Sequence, residues 1–315
     1  MLSVYKFDDT KGGLKPQAKI EPGVWINVTD PSQDELTTLE KKTRVPEDFL
    51  LYGLDPDEGA RYEYDEDVDV HLLIFDMPVA TLDPKKRVTY KTVPLAIILT
   101  PSALITIDTQ HQPLLALFAE NKVTGFDPRR KTQAALLMMY RATAAYLTYL
   151  RDINKARESL EAKLQSSLRN EELYGLMGIQ RGLVYFMMSL RTDRNVLQQL
   201  ERTNPLRLNN DGADLLDDIL IENQQGIEMA QISNSIISET TDTYSNIINN
   251  NMNGVMKFLT SYSIILTIPT LVFSFYGMNM DLPWAGMHIS WIITIIISLI
   301  ISVLIGLQFW KNRYF

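Results

Sequence analysis

Two uncharged apolar stretches close this chain and dictate most of what it can become. Phe258 to Phe275 is eighteen residues without a charge, and Ile289 to Trp310 is twenty-two. A helix needs about twenty such residues to cross a bilayer. The pair therefore reads as a transmembrane hairpin whose turn begins Tyr276-Gly277-Met278-Asn279. Everything before Gly254 is too polar to enter lipid, so a large polar body is fixed to a small membrane anchor. Lys257 precedes the first span, Lys311 and Arg313 follow the second, and Tyr276 to His288 holds no Lys or Arg. By the positive-inside rule both termini are expected in the cytoplasm and the turn outside. Trp284, Trp291, Trp310 and Tyr314 fall where interfacial aromatics belong.

Charge narrows the partners. The chain of 315 residues carries −8; from Gly254 onward three basic residues and one acid leave +2, so the polar body carries −10. That balance argues against nucleic acid and suits cations. There is no cysteine, which excludes disulfides, thiolate metal sites and cysteine nucleophiles. The opening MLSVYKFDDT has no apolar core, so no cleaved signal peptide is expected.

In chain order, the polar body starts as mixed α/β. Val24 to Val28 is a short strand, and Ser32-Gln33-Asp34-Glu35 is a capping box that opens a helix to about Lys42. His71 to Phe75, Leu95 to Leu99 and Leu104 to Ile107 are strands by their branched apolar content. Asp83 to Lys86 and Thr100 to Ser102 read as turns, and the acid-rich run Glu58 to Asp69 as a solvated loop and strand edge. From about Arg130 to Arg202 apolar residues recur at three and four, with a break near Asn170 that predicts two long antiparallel helices. Leu176 to Leu190 is fairly apolar but holds Arg181, so it reads as bundle core rather than a third span. From about Asp211 a helical pattern runs on to Pro269 and, if unbroken, to Phe275. At 1.5 Å per residue that rod is roughly 100 Å long, and it is expected to protrude or to assemble with copies of itself. The expected divisions are an α/β domain over 1–130, paired long helices over 131–203, an acidic stalk helix over 204–253, a first span over 254–276, an external turn over 277–288, a second span over 289–310 and a basic tail over 311–315.

Two patterns on the long helix carry chemistry. Between Leu208 and Met256 stand Asp211, Asp214, Asp217, Asp218, Glu222, Glu228, Glu239 and Asp242, without one Lys or Arg. Like charges at helical spacing destabilise a helix; bundled copies would turn them into a negative vestibule that gathers cations. The second pattern is a stripe at steps of three or four: Asp242, Asn246, Asn249, Asn253, Met256, Thr260, Ser263, Thr267, Thr270, Ser274 and Gly277. Facing lipid, those hydroxyls would either bond backbone carbonyls or pack helix on helix. The reading favoured is a water-filled pore lined by one helix per subunit, with Asp242, Asn246 and Asn249 at its vestibule. Met256, with Leu259 one turn on, would form an apolar constriction able to gate by dewetting. In the second span Thr294, Ser298 and Ser302 recur at four, the pattern of an outer, lipid-facing helix with ordinary helix packing.

At Gly277-Met278-Asn279 the chain resembles the CorA family of divalent-cation channels, whose signature is Gly-Met-Asn at the outer end of the first of two C-terminal spans. The resemblance extends to Asn253-x-Val255-Met256-Lys257-x-Leu259-Thr260 and to Trp25-Ile26-Asn27-Val28-x-Asp30-Pro31. It implies a CorA-like funnel: an α+β cytoplasmic domain, a long stalk helix and a two-helix transmembrane hairpin, assembled as a homopentamer in the cytoplasmic membrane. It implies that Gly277, Met278 and Asn279 form the selectivity filter, with five Asn279 carboxamides holding hydrated Mg²⁺ through neutral oxygens. Gly277 is expected to permit a tight backbone at the helix end. Asn253 would form a second polar ring at the inner end, and Met256 and Leu259 the gate. Cytoplasmic Mg²⁺ bound by acids between subunits would hold the channel shut; Asp218 falls at the stalk position, Asp217 is adjacent, and Asp76 and Asp83 are candidates for the partner acid.

The chain departs from the family in two places. The acidic loop after the signature is replaced by Met280-Asp281-Leu282-Pro283-Trp284, and a mid-pore methionine by Thr267. The expectation is a passive Mg²⁺ channel driven by membrane potential, gated by cytoplasmic Mg²⁺. Transport of Co²⁺, Ni²⁺ or Zn²⁺ and a non-transporting membrane-anchored scaffold are its alternatives. No enzyme is expected: His71, His111 and His288 lie in no metal or triad spacing, and no P-loop occurs.

Overall fold

The computed structural model describes residues 1–10, 12–84, 87–166, 170–279 and 288–312. The chain divides into two compact units, Met1–Ser238 and Glu239–Phe315.

The first unit is built on a seven-stranded sheet. Its strands are β1 (Leu2–Asp8), β2 (Gly13–Gln17), β3 (Val24–Thr29), β4 (Arg61–Asp65), β5 (Val70–Leu82), β6 (Val88–Leu99) and β7 (Ala103–Asp108), in the order β2-β1-β3-β7-β6-β5-β4. Only β3 and β7 pair in parallel. These two central strands are buried on both faces, which is why they read as apolar runs with little alternation. Trp25 ties them: its indole N–H donates to Thr106 Oγ1 at 2.9 Å, and Thr106 donates on to Asn27 Oδ1 at 2.9 Å. The strands foreseen at His71 and Leu95 are longer than their apolar content shows. β5 and β6 pair from His71 with Leu99 out to Leu82 with Val88. Pro78 and Pro94 lie in this outer part, where β4 and β7 no longer pair with the ribbon, so a missing N–H breaks no second ladder. Of the turn over Asp83 to Lys86, Lys85 and Lys86 lie outside the described residues.

Helices cover both faces. α1 (Gln33–Thr43) has the capping box foreseen: Glu35 N–H donates to Ser32 Oγ, and Ser32 N–H to Glu35 Oε2. With α2 (Glu47–Tyr52) it seals the face holding Ile26, Ile74 and Ile105. α3 (Pro113–Ala119), α4 (Lys131–Ser166) and α5 (Asn170–Thr203) cover the face holding Trp25, Phe75 and Leu104. α5 approaches the ribbon closely at Gly182, where a Cβ would stand 2.8 Å from that of Tyr90.

The last helix to reach the first unit is α6 (Asn210–Tyr276). Up to Ser238 it is not a bare rod. A buried seam of Leu216, Ile219, Asn223, Ala230, Ser233 and Ile237 faces α4 and α5 of the same chain. Tyr140 donates to Glu222 Oε1 at 3.1 Å, Ser233 to Asn154 Oδ1 at 2.7 Å and Gln180 to Ser238 Oγ at 3.0 Å. The rod expected to protrude or to assemble with copies of itself is thus covered by its own chain over this half.

The second unit consists of α6 from Glu239 onward and α7 (Ser290–Lys311). Both helices are long and apolar enough to cross a membrane. Pro269 sits inside α6 and cannot donate to the Ile265 carbonyl.

Candidate ion pathway

The second unit sorts the residues of α6 by face. Ser261 and Val272 are buried, and Ile265, Ile268 and Tyr276 half-buried, along one side. α7 answers with buried Thr294 and Ser298. Gly306 continues that small-residue side, where a Cβ would lie 3.7 Å from Ile265 Cδ1. Small side chains let helix backbones approach in lipid, where no hydrophobic force brings them together. The hydroxyls of α7 are thus packing residues: Thr294 donates to the Ser290 carbonyl at 2.8 Å.

The stripe occupies the opposite side of α6. Asn253, Met256, Leu259, Thr260, Ser263, Thr267, Thr270 and Ser274 are all exposed, as are Asp242, Asn246 and Asn249 before them. Nine of these eleven side chains carry a polar oxygen in or next to an uncharged membrane helix. Thr267 donates its proton to the Ser263 carbonyl at 2.8 Å, which leaves its oxygen free to accept. Leu259, Thr260, Ser263, Ile264, Thr267, Ile268 and Leu271 line a groove of about 460 Å³ along this helix. Met256 and Leu259 are each about half exposed, at 53% and 54%, and apolar surface of that size at a polar face needs covering or filling.

α6 ends where the signature begins. Gly277 N–H donates to the Phe273 carbonyl at 2.9 Å and Met278 N–H to that of Phe275 at 3.4 Å. Gly277 does not take a positive φ. A Cβ there would come 3.3 Å from the Phe273 oxygen, a tight approach to the backbone, and 3.6 Å from that of Ser274, an ordinary contact. Asn279 is exposed. A second groove, about 450 Å³, lies behind the signature between Phe273, Tyr276, Gly277, Ser290, Trp291, Thr294 and Ile295. Asp281 and Trp284 lie outside the described residues, as do Arg313 and Tyr314.

The acids foreseen for regulation are in the first unit. Asp217 and Asp218 are exposed on α6. Asp83 is engaged at the mouth of the β5–β6 ribbon: Arg87 donates from its backbone N–H to Oδ1 and from Nε to Oδ2, both at 2.8 Å. Asp76 is half-buried on β5, and its backbone N–H donates to Asp193 Oδ1 of α5 at 2.8 Å. Among the described residues no three His, Asp or Glu side chains converge on one point in a single chain. Asp193 escaped the sequence reading, although it stands in the apolar spacing of α5.

Comparison with known proteins fits this arrangement. Residues 21–311 match the family model described as CorA-like Mg²⁺ transporter protein. The cobalt/magnesium transport protein CorA of Methanocaldococcus jannaschii is 28% identical over 269 residues, covering 84% of this chain and 82% of that protein. The complete structure of the CorA magnesium transporter from the same organism superposes with a TM-score of 0.85 at 23% identity, covering 100% of this chain and 99% of the other. The cytoplasmic domain of ZntB from Vibrio parahaemolyticus superposes at 0.61 with 12% identity, over 79% of this chain and 98% of that one.

Proposed function

The chain belongs to the CorA-like Mg²⁺ transporter family, and on that premise we propose that it is a passive Mg²⁺ influx channel of the cytoplasmic membrane, built as a homopentamer around α6. The observation that carries this reading is the division of α6 into two faces. The side that meets α7 is closed with small residues of α7, while the exposed side keeps a run of polar groups from Asp242 to Ser274, interrupted only at Met256 and Leu259. In lipid those groups would be costly; around a shared axis they line a wet path.

Along that path, Asn279 holds hydrated Mg²⁺ at the outer mouth, with Gly277 and Met278 shaping the entrance. Thr270, Thr267, Ser263 and Thr260 pass the ion inward. Met256 and Leu259 form the constriction, and Asn253, Asn249, Asn246 and Asp242 the inner vestibule. An inside-negative potential drives a divalent ion with about 4.6 kcal/mol per 100 mV, twice the single-charge value. Both termini face the cytoplasm. Cytoplasmic Mg²⁺ holds the subunits closed through Asp217 and Asp218. Asp83 is the weaker candidate for their partner, because Arg87 already neutralises it.

The polar Thr267 and the altered loop after Met280 keep Co²⁺, Ni²⁺ and Zn²⁺ open as cargo, and the relative from Methanocaldococcus carries cobalt in its name. The deciding experiment is uptake by purified protein in liposomes under an imposed potential, wild type beside Asn279→Ala, with Co²⁺ and Zn²⁺ as competitors. Potential-driven Mg²⁺ flux that the substitution abolishes supports the pore. Flux indifferent to Asn279→Ala removes the filter, and no flux at all leaves the anchored scaffold.

A further inference from the structure

α5 buries residues along one seam at steps of three and four: Leu176, Ile179, Leu183, Phe186, Leu190, Asp193, Leu197 and Leu200. Seven are apolar. Asp193 takes a core position among them and is completely buried. Its Oδ1 rests on the Asp76 backbone N–H at 2.8 Å, which brings a second carboxyl beside it. Its Oδ2 is buried without a partner among the described residues, and so is the hydroxyl of Tyr146 on α4. Ser189, one turn before Asp193, is buried and donates to Thr92 Oγ1 on β6 at 2.9 Å.

The charges leave this cluster incomplete. Burial raises the Asp76 carboxyl above the usual range, tempered by the Ser189 hydroxyl. Burial and the Asp76 charge raise Asp193, and no Lys, Arg or His offsets either acid. A buried charge without a partner is strongly unfavourable. Two adjacent carboxyls cannot both stay ionised without a positive charge between them. A water could satisfy Oδ2 and the phenol oxygen but not the charge. A cation meets both demands, and an all-oxygen set of carboxylates and hydroxyls suits a hard divalent one. Asp76 is only half-buried, which leaves an edge for entry and for the waters that Mg²⁺ keeps.

We propose that Asp76, Asp193 and Tyr146 form a divalent-cation site inside the α/β unit of each single chain, with Ser189 and Thr92 at its edge. It rests on no part of the pore reading. Occupied, it ties the β5–β6 ribbon to α4 and α5; emptied, it leaves Asp193 Oδ2 and the Tyr146 hydroxyl buried without a partner.

The test counts ions bound to the full-length protein in detergent by equilibrium dialysis against Mg²⁺. Asp193→Asn is expected to bind one ion fewer per chain than wild type, while Asn279→Ala and Asp218→Ala retain that ion. Tyr146→Phe is expected to keep the count and weaken affinity several-fold. Thermal unfolding in chelator guards against misfolding: Asp193→Asn, which keeps an oxygen for the Asp76 N–H, is expected to melt close to wild type without Mg²⁺, and to lose part of the rise that Mg²⁺ gives. Asp193→Asn that melts normally and binds the same number of ions with the same affinity overturns the site. A wild-type count fully accounted for by the ions lost in Asn279→Ala and Asp218→Ala overturns it too. The pore reading stands or falls separately, on flux through Asn279→Ala.

Discussion

Gly306 of α7 lies against Ile265 of α6, with room for a methyl group and little more: a Cβ would sit 3.7 Å from Ile265 Cδ1, an ordinary contact. Gly306→Ala is therefore expected to fold and transport as wild type. Gly306→Leu would force the two helices apart, an overpacking of about 1–3 kcal/mol. In detergent it should melt lower and lose uptake together. A Gly306→Leu protein with wild-type melting would mean that α7 does not pack on α6 through this face.

The constriction makes a prediction of opposite sign. Met256 and Leu259 present apolar surface on the face that is otherwise polar, and a narrow apolar ring excludes water and ions together. Met256→Ser should admit water and raise Mg²⁺ uptake several-fold when internal Mg²⁺ is high. Both residues are exposed in the single chain, so little stability is at stake. Uptake unchanged or reduced in Met256→Ser would put the barrier elsewhere.

Asp83 and Asp218 should separate cleanly in a regulation assay. The Asp83–Arg87 pair is near the surface and worth about 0–1 kcal/mol. Asp83→Ala is expected to melt within that range and to leave inhibition by internal Mg²⁺ intact. Asp218→Ala is expected to weaken inhibition, read as uptake against increasing Mg²⁺ trapped inside the liposomes. The reverse pattern would move the sensor from α6 to the ribbon.

What sequence revealed and what it hid follow from how local each cause is. The capping box at Ser32 and Glu35 involves neighbours on one helix end, and it was legible from four letters. The stripe on α6 was legible for the same reason, since helical period alone puts its members on one face. The coverage of α6 before Ser238 was not, because its partners Asn154 and Gln180 lie on other helices. Asp76 was noticed as an acid, but its neighbour Asp193 is 117 residues away. A hint was nonetheless available: an acid at a core position of the α5 seam breaks the apolar pattern that surrounds it. Gly277 was expected to permit a tight backbone at the helix end; its φ is not positive, and a Cβ there would come 3.3 Å from the Phe273 oxygen.

Stability should also depend on pH through Asp108, at the end of β7. Its side chain is fully buried, and burial lifts its carboxyl from the ordinary 3.8 to about 7, against the pull of the Thr29 hydroxyl and the Gln110 N–H. Between those values the folded chain holds a proton that the unfolded chain has lost. Stability contributed by protonated Asp108 is thus fully present at low pH and is lost as pH rises from about 4 to about 7, by at most on the order of 4 kcal/mol. Asp76 and Asp193 push the same way, while Asp8 and Glu35, held low by their hydrogen bonds, push the other. The comparison that isolates Asp108 is Asp108→Asn against wild type, by thermal melting at pH 5 and pH 8. The substitution should gain on wild type at pH 8 relative to pH 5, because the amide has no proton to lose. A constant difference between the two proteins across that range would mean that Asp108 does not give up a proton between pH 5 and pH 8, and would remove it as a source of the pH dependence.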